Sequence, residues 1–245
     1  MKKILPLAAL LLLLSSCHSF KAGLFEDNLV LPLAEESADT LFYSVSLEYV
    51  QAGLPDETID QINSTILTMA FDLEEQPGSM EETAVRYRES LIDEYLAENR
   101  NDEFQGFVRT WNDEISGSFE KSWNRCPCYT LTYYTFRGGA HGLYTITYLV
   151  FDPQTGAILT EDDLFRDGYL EPVTLLMQEN IRQSFEELGP DVMDSIRMDG
   201  VAPNGNFLPG ADGISWMFQP YDIAPYAMGA ITADIPWEDL KPYLK

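Results

Sequence analysis

The spacing of apolar residues changes from a helical period to a strand period near residue 114, and this change limits the fold more than any other feature of the sequence. Before it, apolar residues recur every three or four positions, as on the buried face of an amphipathic helix: Ile59, Ile62, Ile66, Met69 and Leu73. After it, apolar and polar residues alternate, which is typical of strands with one buried face. Strands that follow a helical pair predict an α+β fold, with a mostly antiparallel sheet packed with about three helices in two subregions.

Cap and turn signals place the individual elements. Ser79 and Glu82 form a capping-box pattern that predicts the start of a second helix. Pro172 lies where a third helix is expected to begin, and this helix is expected to end near Leu188. The predicted strands cover residues 41–50, 114–123, 129–136, 143–151, 206–208, 214–218 and 230–235, and a short helix follows over residues 237–244.

These signals divide the sequence into four parts. Residues 1–16 are predicted to form a lipoprotein signal peptide, and residues 17–38, which show no clear periodicity, a tether. Residues 39–112 are predicted to form an N-terminal α+β subdomain, and residues 113–245 a C-terminal α+β subdomain. An apolar content of 45% is ample for hydrophobic cores, so global disorder is not expected.

The N-terminus has the pattern of a bacterial lipoprotein. Lys2 and Lys3 precede an apolar run over residues 4–14, which is too short to cross a hydrocarbon core of about 30 Å as a helix. The run ends in Leu14-Ser15-Ser16-Cys17. This sequence resembles the lipobox, which implies diacylglycerol on the Cys17 thiol, cleavage before Cys17, and acylation (palmitate) of the new N-terminus. Because His18 is not the aspartate that commonly retains lipoproteins at the inner membrane, we expect an outer-membrane anchor facing the periplasm in a host with two membranes. In a host with one membrane, the same cysteine would anchor the protein to the outer leaflet.

The charge of the chain favours one class of partner and disfavours another. Without Lys2 and Lys3, 13 basic residues remain against 40 acidic ones, a formal charge of about −27. Such a charge repels nucleic acid, which we exclude as a partner, and it speeds association with a basic protein. The same charge also serves solubility alone, and this second interpretation stays open.

A glycine-rich stretch between two aromatic strands is the most unusual segment of the mature chain. It reads Arg137-Gly138-Gly139-Ala140-His141-Gly142, and we call it the glycine loop. Glycine permits positive φ angles and a close approach of other groups to the backbone. The loop is therefore interpreted either as a hairpin turn or as a segment that presents Arg137 and His141 to a ligand.

No residue is assigned a catalytic or metal-binding role. His141 and His18 are the only two histidines, too few for a histidine-rich metal site, and neither a Gly-x-Ser-x-Gly nor a Ser-x-x-Lys nucleophile motif occurs. We expect no metal and no cofactor. An envelope hydrolase that acts on peptidoglycan through His141 and a carboxylate remains the alternative hypothesis.

Tyrosines recur in the strands around the glycine loop. Tyr129 and Tyr133 share one face of a strand with Leu131, and Tyr144 and Tyr148 share one face of the next. Such rows suit a half-wet surface that binds a protein or a sugar. They equally suit packing within the fold. Further tyrosines stand in the proline-rich stretch 219–227, and the candidate binding residues are the glycine loop with Tyr133, Tyr144, Tyr221 and Tyr226.

Cys126 and Cys128 flank Pro127, and their state is left open. A bridge between them would close a tight, strained ring. Redox chemistry is disfavoured because a strand pattern, and not a helix N-terminus, follows the pair. The remaining possibilities are a local bridge and two free thiols.

Two motifs resemble those of a bacterial extracytoplasmic family. The first joins residues 138–142 to residues 151–160 and Asp163-Leu164-Phe165, and the second covers residues 218–229. Together they are similar to the RsiV/PdaC-type domain pair, catalogued as domain-of-unknown-function families 4163 and 3298, over roughly residues 40–245.

The resemblance implies an α+β extracytoplasmic module with two subregions. In sigma-factor regulators of this type the module binds lysozyme, and in deacetylases it stands beside a catalytic domain that acts on peptidoglycan. This sequence shows neither a cytoplasmic segment for a sigma factor nor a deacetylase domain. The expected function is therefore that of a non-enzymatic envelope lipoprotein, which binds a lysozyme-like protein or peptidoglycan glycan.

Overall fold

The computed structural model describes residues 20–35, 37–74, 77–99 and 109–245, so the predicted signal peptide and Cys17 lie outside the described residues. The strands are β1 (Lys21–Pro32), β2 (Thr40–Ala52), β3 (Trp111–Trp123), β4 (Cys126–Phe136), β5 (Leu143–Val150), β6 (Phe207–Pro209), β7 (Gly213–Phe218) and β8 (Ile231–Pro236). The helices are α1 (Asp56–Ala70), α2 (Met80–Asn99), α3 (Glu161–Leu164), α4 (Leu170–Phe185), α5 (Pro190–Asp194) and α6 (Trp237–Leu240).

The first five strands form one sheet in the order β1-β2-β3-β4-β5. β2 and β3 are parallel, because the chain crosses over between them through α1 and α2, and the other neighbours are antiparallel. β6, β7 and β8 form a second, antiparallel sheet. The predicted α+β fold with a mostly antiparallel sheet is therefore confirmed.

A first hydrophobic core lies between the five-stranded sheet and the helices α1 and α2. Alternate β2 residues such as Leu41, Val45 and Leu47 are fully buried, and they belong to one cluster with Ile62 and Ile66 of α1. We call this face of the sheet the helix side. Each such side chain contributes about 1.5–3 kcal/mol on burial, so this face fixes the register of the sheet.

A second hydrophobic core lies between the three-stranded sheet and α4. Val173, Met177 and Ile181 recur at helical spacing on α4 and are fully buried in one cluster with Trp216 and Ala233. The opposite face of β4 also contributes, through Cys126 and Cys128. We call this face of the first sheet the second-core side.

The structure corrects the predicted tether, because residues 21–32 form the edge strand β1. Asp27 interrupts its apolar pattern at a position that faces the helix side, between Phe25 and Leu29, and it forms an ion pair with Arg88 of α2. A carboxylate at a core-facing position interrupts the alternation of apolar and polar residues by which a strand is recognised in a sequence. The ion pair with Arg88 of a distant helix compensates the charge of Asp27 at this partly buried position.

The structure also differs from the predicted boundary between residues 112 and 113. β3 begins at Trp111 and pairs with β2, so a cut there would divide both a strand and the sheet. The first core extends to Phe151, whereas the second begins at Cys126. The two subregions overlap along the chain because alternate residues of β4 face different cores.

Three of the six helices in the described residues are long, and all three were predicted. Reciprocal hydrogen bonds confirm the capping box: Ser79 N donates to Glu82 Oε2 at 3.1 Å, and Glu82 N donates to Ser79 Oγ at 3.2 Å. α4 begins two residues before Pro172. The other three helices have four or five residues, too few for an amphipathic period. Within the described residues, no helix has the length and apolar character to span a membrane.

Candidate functional site

The two predicted tyrosine rows lie on opposite faces of the first sheet. Tyr133 pairs with Thr145 and belongs to the helix side, whereas Tyr134 pairs with Tyr144. Because neighbouring residues of a strand point to opposite faces, Tyr144 lies on the second-core side. The predicted binding residues therefore divide into two groups.

The first group is a cluster of four aromatic side chains, which we call the ring cluster: His141, Tyr144, Tyr221 and Tyr226. The His141 and Tyr226 rings are stacked, with centroids 3.8 Å apart and an interplanar angle of 15°. Tyr221 and Tyr144 flank Tyr226 at centroid distances of 5.5 and 6.4 Å. His141 and Tyr221 are exposed, so the cluster presents aromatic surface to solvent.

The carbonyl of Gly142 holds the ring cluster together. It accepts a hydrogen bond from Tyr226 Oη at 2.6 Å and lies 2.8 Å from His141 Nδ1. Since a carbonyl oxygen only accepts, Nδ1 is the donor in this contact, and Nε2 lies 3.4 Å from Tyr221 Oη. The glycine loop, which connects β4 and β5 of the first sheet, is thereby joined to residues 219–226.

Tyr221 has a left-handed backbone conformation, with φ of 77°, and its side chain is 55% exposed. The turn around it is held by Gln219 N, which donates to Asp222 Oδ2 at 2.7 Å, and by Tyr221 N, which donates to Ala224 O at 3.1 Å. A large side chain in this conformation costs roughly 1–3 kcal/mol, and such strain is typical of functional sites. The turn presents the Tyr221 ring outward.

Two side-chain amides fix this turn region to the edge of the first sheet. Gln219 Oε1 accepts from Ile146 N at 2.9 Å, and Gln219 Nε2 donates to Ile146 O at 2.6 Å. Asn206 Oδ1 accepts from Tyr148 N at 2.8 Å. These amides form hydrogen bonds with backbone groups that an edge strand otherwise leaves unpaired, and they attach the second subregion to that strand. The sequence did not predict these two residues, because an Asn or Gln gives no signal of which distant backbone group its side chain will bind.

The glycine loop is a hairpin connection between the antiparallel strands β4 and β5, which confirms the interpretation as a turn. Gly138 and Gly139 have φ of 87° and 95°, a region that favours glycine. Gly142 is buried, and a Cβ atom there would lie 2.5 Å from the ring of Tyr134. The loop sequence is therefore required by backbone conformation at one end and by close packing at the other.

Arg137 and Tyr133 form the second group on the helix side, around the fully buried carboxylate of Asp113. Tyr87 Oη donates to Asp113 Oδ1 at 2.8 Å, Tyr133 Oη donates to Oδ2 at 2.9 Å, and Arg137 Nη2 donates to Oδ2 at 3.3 Å. We call these four residues the carboxylate cluster. Asp113 lies at a core position of β3, so nothing in the sequence pattern marked it as a site residue.

Arg137 is held from three directions. Besides Asp113, its guanidinium donates to Glu94 Oε2 at 3.0 Å and lies 4.3 Å from the centre of the Trp111 ring. Burial lowers the pKa of Arg137, but the hydrogen bond to Glu94 and the charge of Asp113 outweigh it and raise the pKa. Arg137 therefore anchors the start of the glycine loop, and its side chain stays 35% exposed.

Burial, followed by the Asp113 charge, raises the pKa of Tyr87. Burial also raises the pKa of Tyr226, and the neighbouring tyrosines add to this effect. Both phenols therefore keep their protons at neutral pH and act as hydrogen-bond donors, not as bases.

The contacts of His141 are with one backbone carbonyl and two tyrosine rings. Its hydrogen-bond and ring partners among the described residues are Gly142, Tyr221 and Tyr226, and no carboxylate is among them. In the described part of the chain, no group of three or more His, Cys, Asp or Glu side chains is arranged to hold a metal ion.

Cys126 and Cys128 are both free and buried in the structure. Burial raises the pKa of Cys128 to about 11 and also raises that of Cys126. The thiolate is the reactive form, so both thiols are protonated and unreactive at neutral pH.

We expect slow labelling of native protein carrying Cys17→Ser by a thiol reagent at pH 8, and fast labelling of two thiols in guanidinium. Fast labelling of the native protein would contradict this burial, and no labelling in guanidinium would indicate a bridge.

Part of the chain matches a known family model. Residues 162–238, which include Tyr221 and Tyr226, match the model described as "Protein of unknown function (DUF3298)". No curated protein matches this chain.

Solved structures show the same fold over nearly the whole chain. A DUF3298 family member from Bacteroides fragilis is 21% identical, with a TM-score of 0.82 over 93% of this chain and 94% of that chain. A DUF3298 family protein from Pseudomonas aeruginosa is 16% identical, with a TM-score of 0.68 over 92% of this chain and 94% of that chain. Residues 162–238 thus form a DUF3298 region, in a chain that shares its fold with two members of that family.

Proposed function

We propose that this protein is a cell-envelope lipoprotein that binds a basic, lysozyme-like protein without catalysing a reaction. The ring cluster carries the proposal: its exposed rings stand on a rigid support that two subregions build together. Tyrosine is enriched among the residues that dominate protein interfaces, because its ring is apolar and its hydroxyl remains polar. The net charge of −25 selects a partner of opposite charge.

The resemblance to the RsiV/PdaC-type domain pair supports the same proposal, because modules of that type bind lysozyme in sigma-factor regulators. The lipid on Cys17 would hold the binding module at the membrane, in the outer membrane facing the periplasm where the host has two membranes. Peptidoglycan is a second candidate, since the exposed ring of Tyr221 also offers a stacking surface for a sugar.

Calorimetric titration of the mature protein with lysozyme at low and high salt tests the proposal. We expect binding that weakens as salt rises, because screening reduces attraction between opposite charges.

Tyr221→Gly removes the ring and relieves its left-handed strain, so the variant should fold at least as well and bind about tenfold more weakly. No binding at low salt would contradict the proposal. Sedimentation with purified sacculi, without lysozyme binding, would favour the peptidoglycan candidate.

The matched control is Val30→Ala. Val30 is 64% exposed and lies on β1, at the opposite edge of the five-stranded sheet from β5. Its truncation removes exposed apolar surface far from the ring cluster, so binding should change by less than about twofold.

A further inference from the structure

A cavity of about 460 Å³ lies on the helix side of the first sheet, on the opposite face from the ring cluster. Its floor is formed by β4 and β5 through Leu131, Thr145 and Thr147, and a wall is formed by Phe71 at the end of α1 and Tyr87 of α2. Its volume is within the range of known ligand sites, roughly 300–1,000 Å³.

The wall of the cavity is aromatic. The rings of Phe71 and Tyr87 have centroids 5.2 Å apart with an interplanar angle of 56°, and Tyr133 lines the cavity beside them. Phe71 is buried and Tyr87 is held by Asp113, so these rings have little freedom to move. Fixed ring faces attract a cation through their quadrupole.

The hydrogen bonds of the carboxylate cluster determine what kind of ligand group the cavity accepts. Tyr87 and Tyr133 each donate their hydroxyl proton to the buried carboxylate of Asp113. The two hydroxyl oxygens lie 3.5 Å apart, and the Arg137 guanidinium stands beside that of Tyr133. A phenol has one proton, so what remains free on either oxygen is acceptor capacity only. A ligand group that reaches them has to be a donor.

The rim of the cavity is negatively charged. Asp72 lines it, and among the described residues its carboxylate has no hydrogen-bond or ion-pair partner. Asp72 has φ of 49°, a left-handed conformation in which Asp and Asn are tolerated better than most residues. An unpaired carboxylate beside aromatic faces and hydroxyl acceptors is complementary to one class of side chain, a cation with N–H donors.

We propose that this cavity receives a lysine or arginine side chain of the basic protein partner. The proposal rests on the proposed function for the identity of the partner, whereas the chemistry of the cavity is independent of it. The charge of Asp72 at the rim attracts the ammonium or guanidinium group, the apolar stem contacts the rings, and the N–H groups donate to the hydroxyl oxygens of Tyr87 and Tyr133. The cavity and the ring cluster lie on opposite faces of β4 and β5, so the partner contacts the β4–β5 hairpin from both sides.

An NMR titration of the mature protein with Nα-acetyl-lysine methylamide and Nα-acetyl-arginine methylamide tests the cavity without the protein partner. We expect saturable shifts that centre on Phe71, Tyr87 and Thr145. Asp72→Asn keeps the shape and the backbone preference, and it should weaken binding about fivefold. Asp191→Asn, an exposed aspartate of α5 with the same change of charge, should leave binding unchanged.

The outcomes separate this proposal from the proposed function. Three results would overturn the cation site, whether or not lysozyme binds. The first is the absence of saturable shifts, and the second is equal weakening of probe binding by both Asp→Asn variants. The third is stronger shifts with neutral N-acetylglucosamine oligomers than with the cationic probes. If the probes bind as expected and lysozyme does not, the cavity stands and the partner is wrong. If lysozyme binds, Asp72→Asn should weaken its binding about fivefold and Asp191→Asn by less than twofold.

Discussion

Replacement of Asp113 by alanine will lower the free energy of unfolding by about 3–5 kcal/mol, because a fully buried charged acceptor of three hydrogen bonds is lost. The carboxylate accepts three hydrogen bonds, from Tyr87, Tyr133 and Arg137, at a site that is fully buried. Without it, two phenol protons lose their acceptor, and Glu94 is the one ionic partner that Arg137 keeps among the described residues. Urea denaturation followed by circular dichroism measures the change.

The matched control for this variant is the next residue along β3. Glu114 is exposed on the other face of the sheet, so Glu114→Ala should change stability by less than about 0.5 kcal/mol. Tyr133→Phe removes one hydrogen bond of the cluster and should cost about 1 kcal/mol. If Asp113→Ala unfolded at the wild-type urea concentration, water would have to reach the carboxylate cluster, and its proposed role as an anchor for the glycine loop would be wrong.

Most of the fold follows from apolar periodicity, and the exceptions have a common physical cause. α1, α2 and α4, and the strands of both sheets apart from β1, were predicted near their observed positions, because each buries one regular apolar face. β1 was missed because Asp27 occupies a core-facing position, where its ion pair with Arg88 compensates the charge. Such compensation depends on a residue of another element, and periodicity reports on one element at a time.

The candidate site was predicted in part for the same reason. The sequence pointed to His141, Tyr144, Tyr221 and Tyr226, and the structure brings these four together. It separates them from Tyr133 and Arg137, since the register of β4 and β5 places Tyr133 on the other face. Asp113 could not be found from the sequence, because one acid among forty carries no information until its neighbours are known.

Gly142 links the ring cluster to the first sheet, and Gly142→Ala is therefore expected to disturb both stability and binding. The new Cβ would lie 2.5 Å from the Tyr134 ring, closer than side-chain atoms approach each other, and such overpacking costs about 1–3 kcal/mol. Any shift of the Gly142 carbonyl breaks its hydrogen bonds with Tyr226 and His141. Under the proposed function, lysozyme binding should fall about tenfold, and the near-ultraviolet dichroism of the tyrosines should change.

Two further variants decide whether this steric explanation is right. Gly139→Ala introduces strain through its positive φ, yet a Cβ there meets no heavy atom within 4 Å. It should cost about 1 kcal/mol in stability and leave binding within about twofold. Tyr134→Ala removes the ring that Gly142→Ala would strike, so the double variant should bind more strongly than Gly142→Ala alone. If the double variant binds no better, the effect of Gly142→Ala comes from the backbone and not from contact with Tyr134.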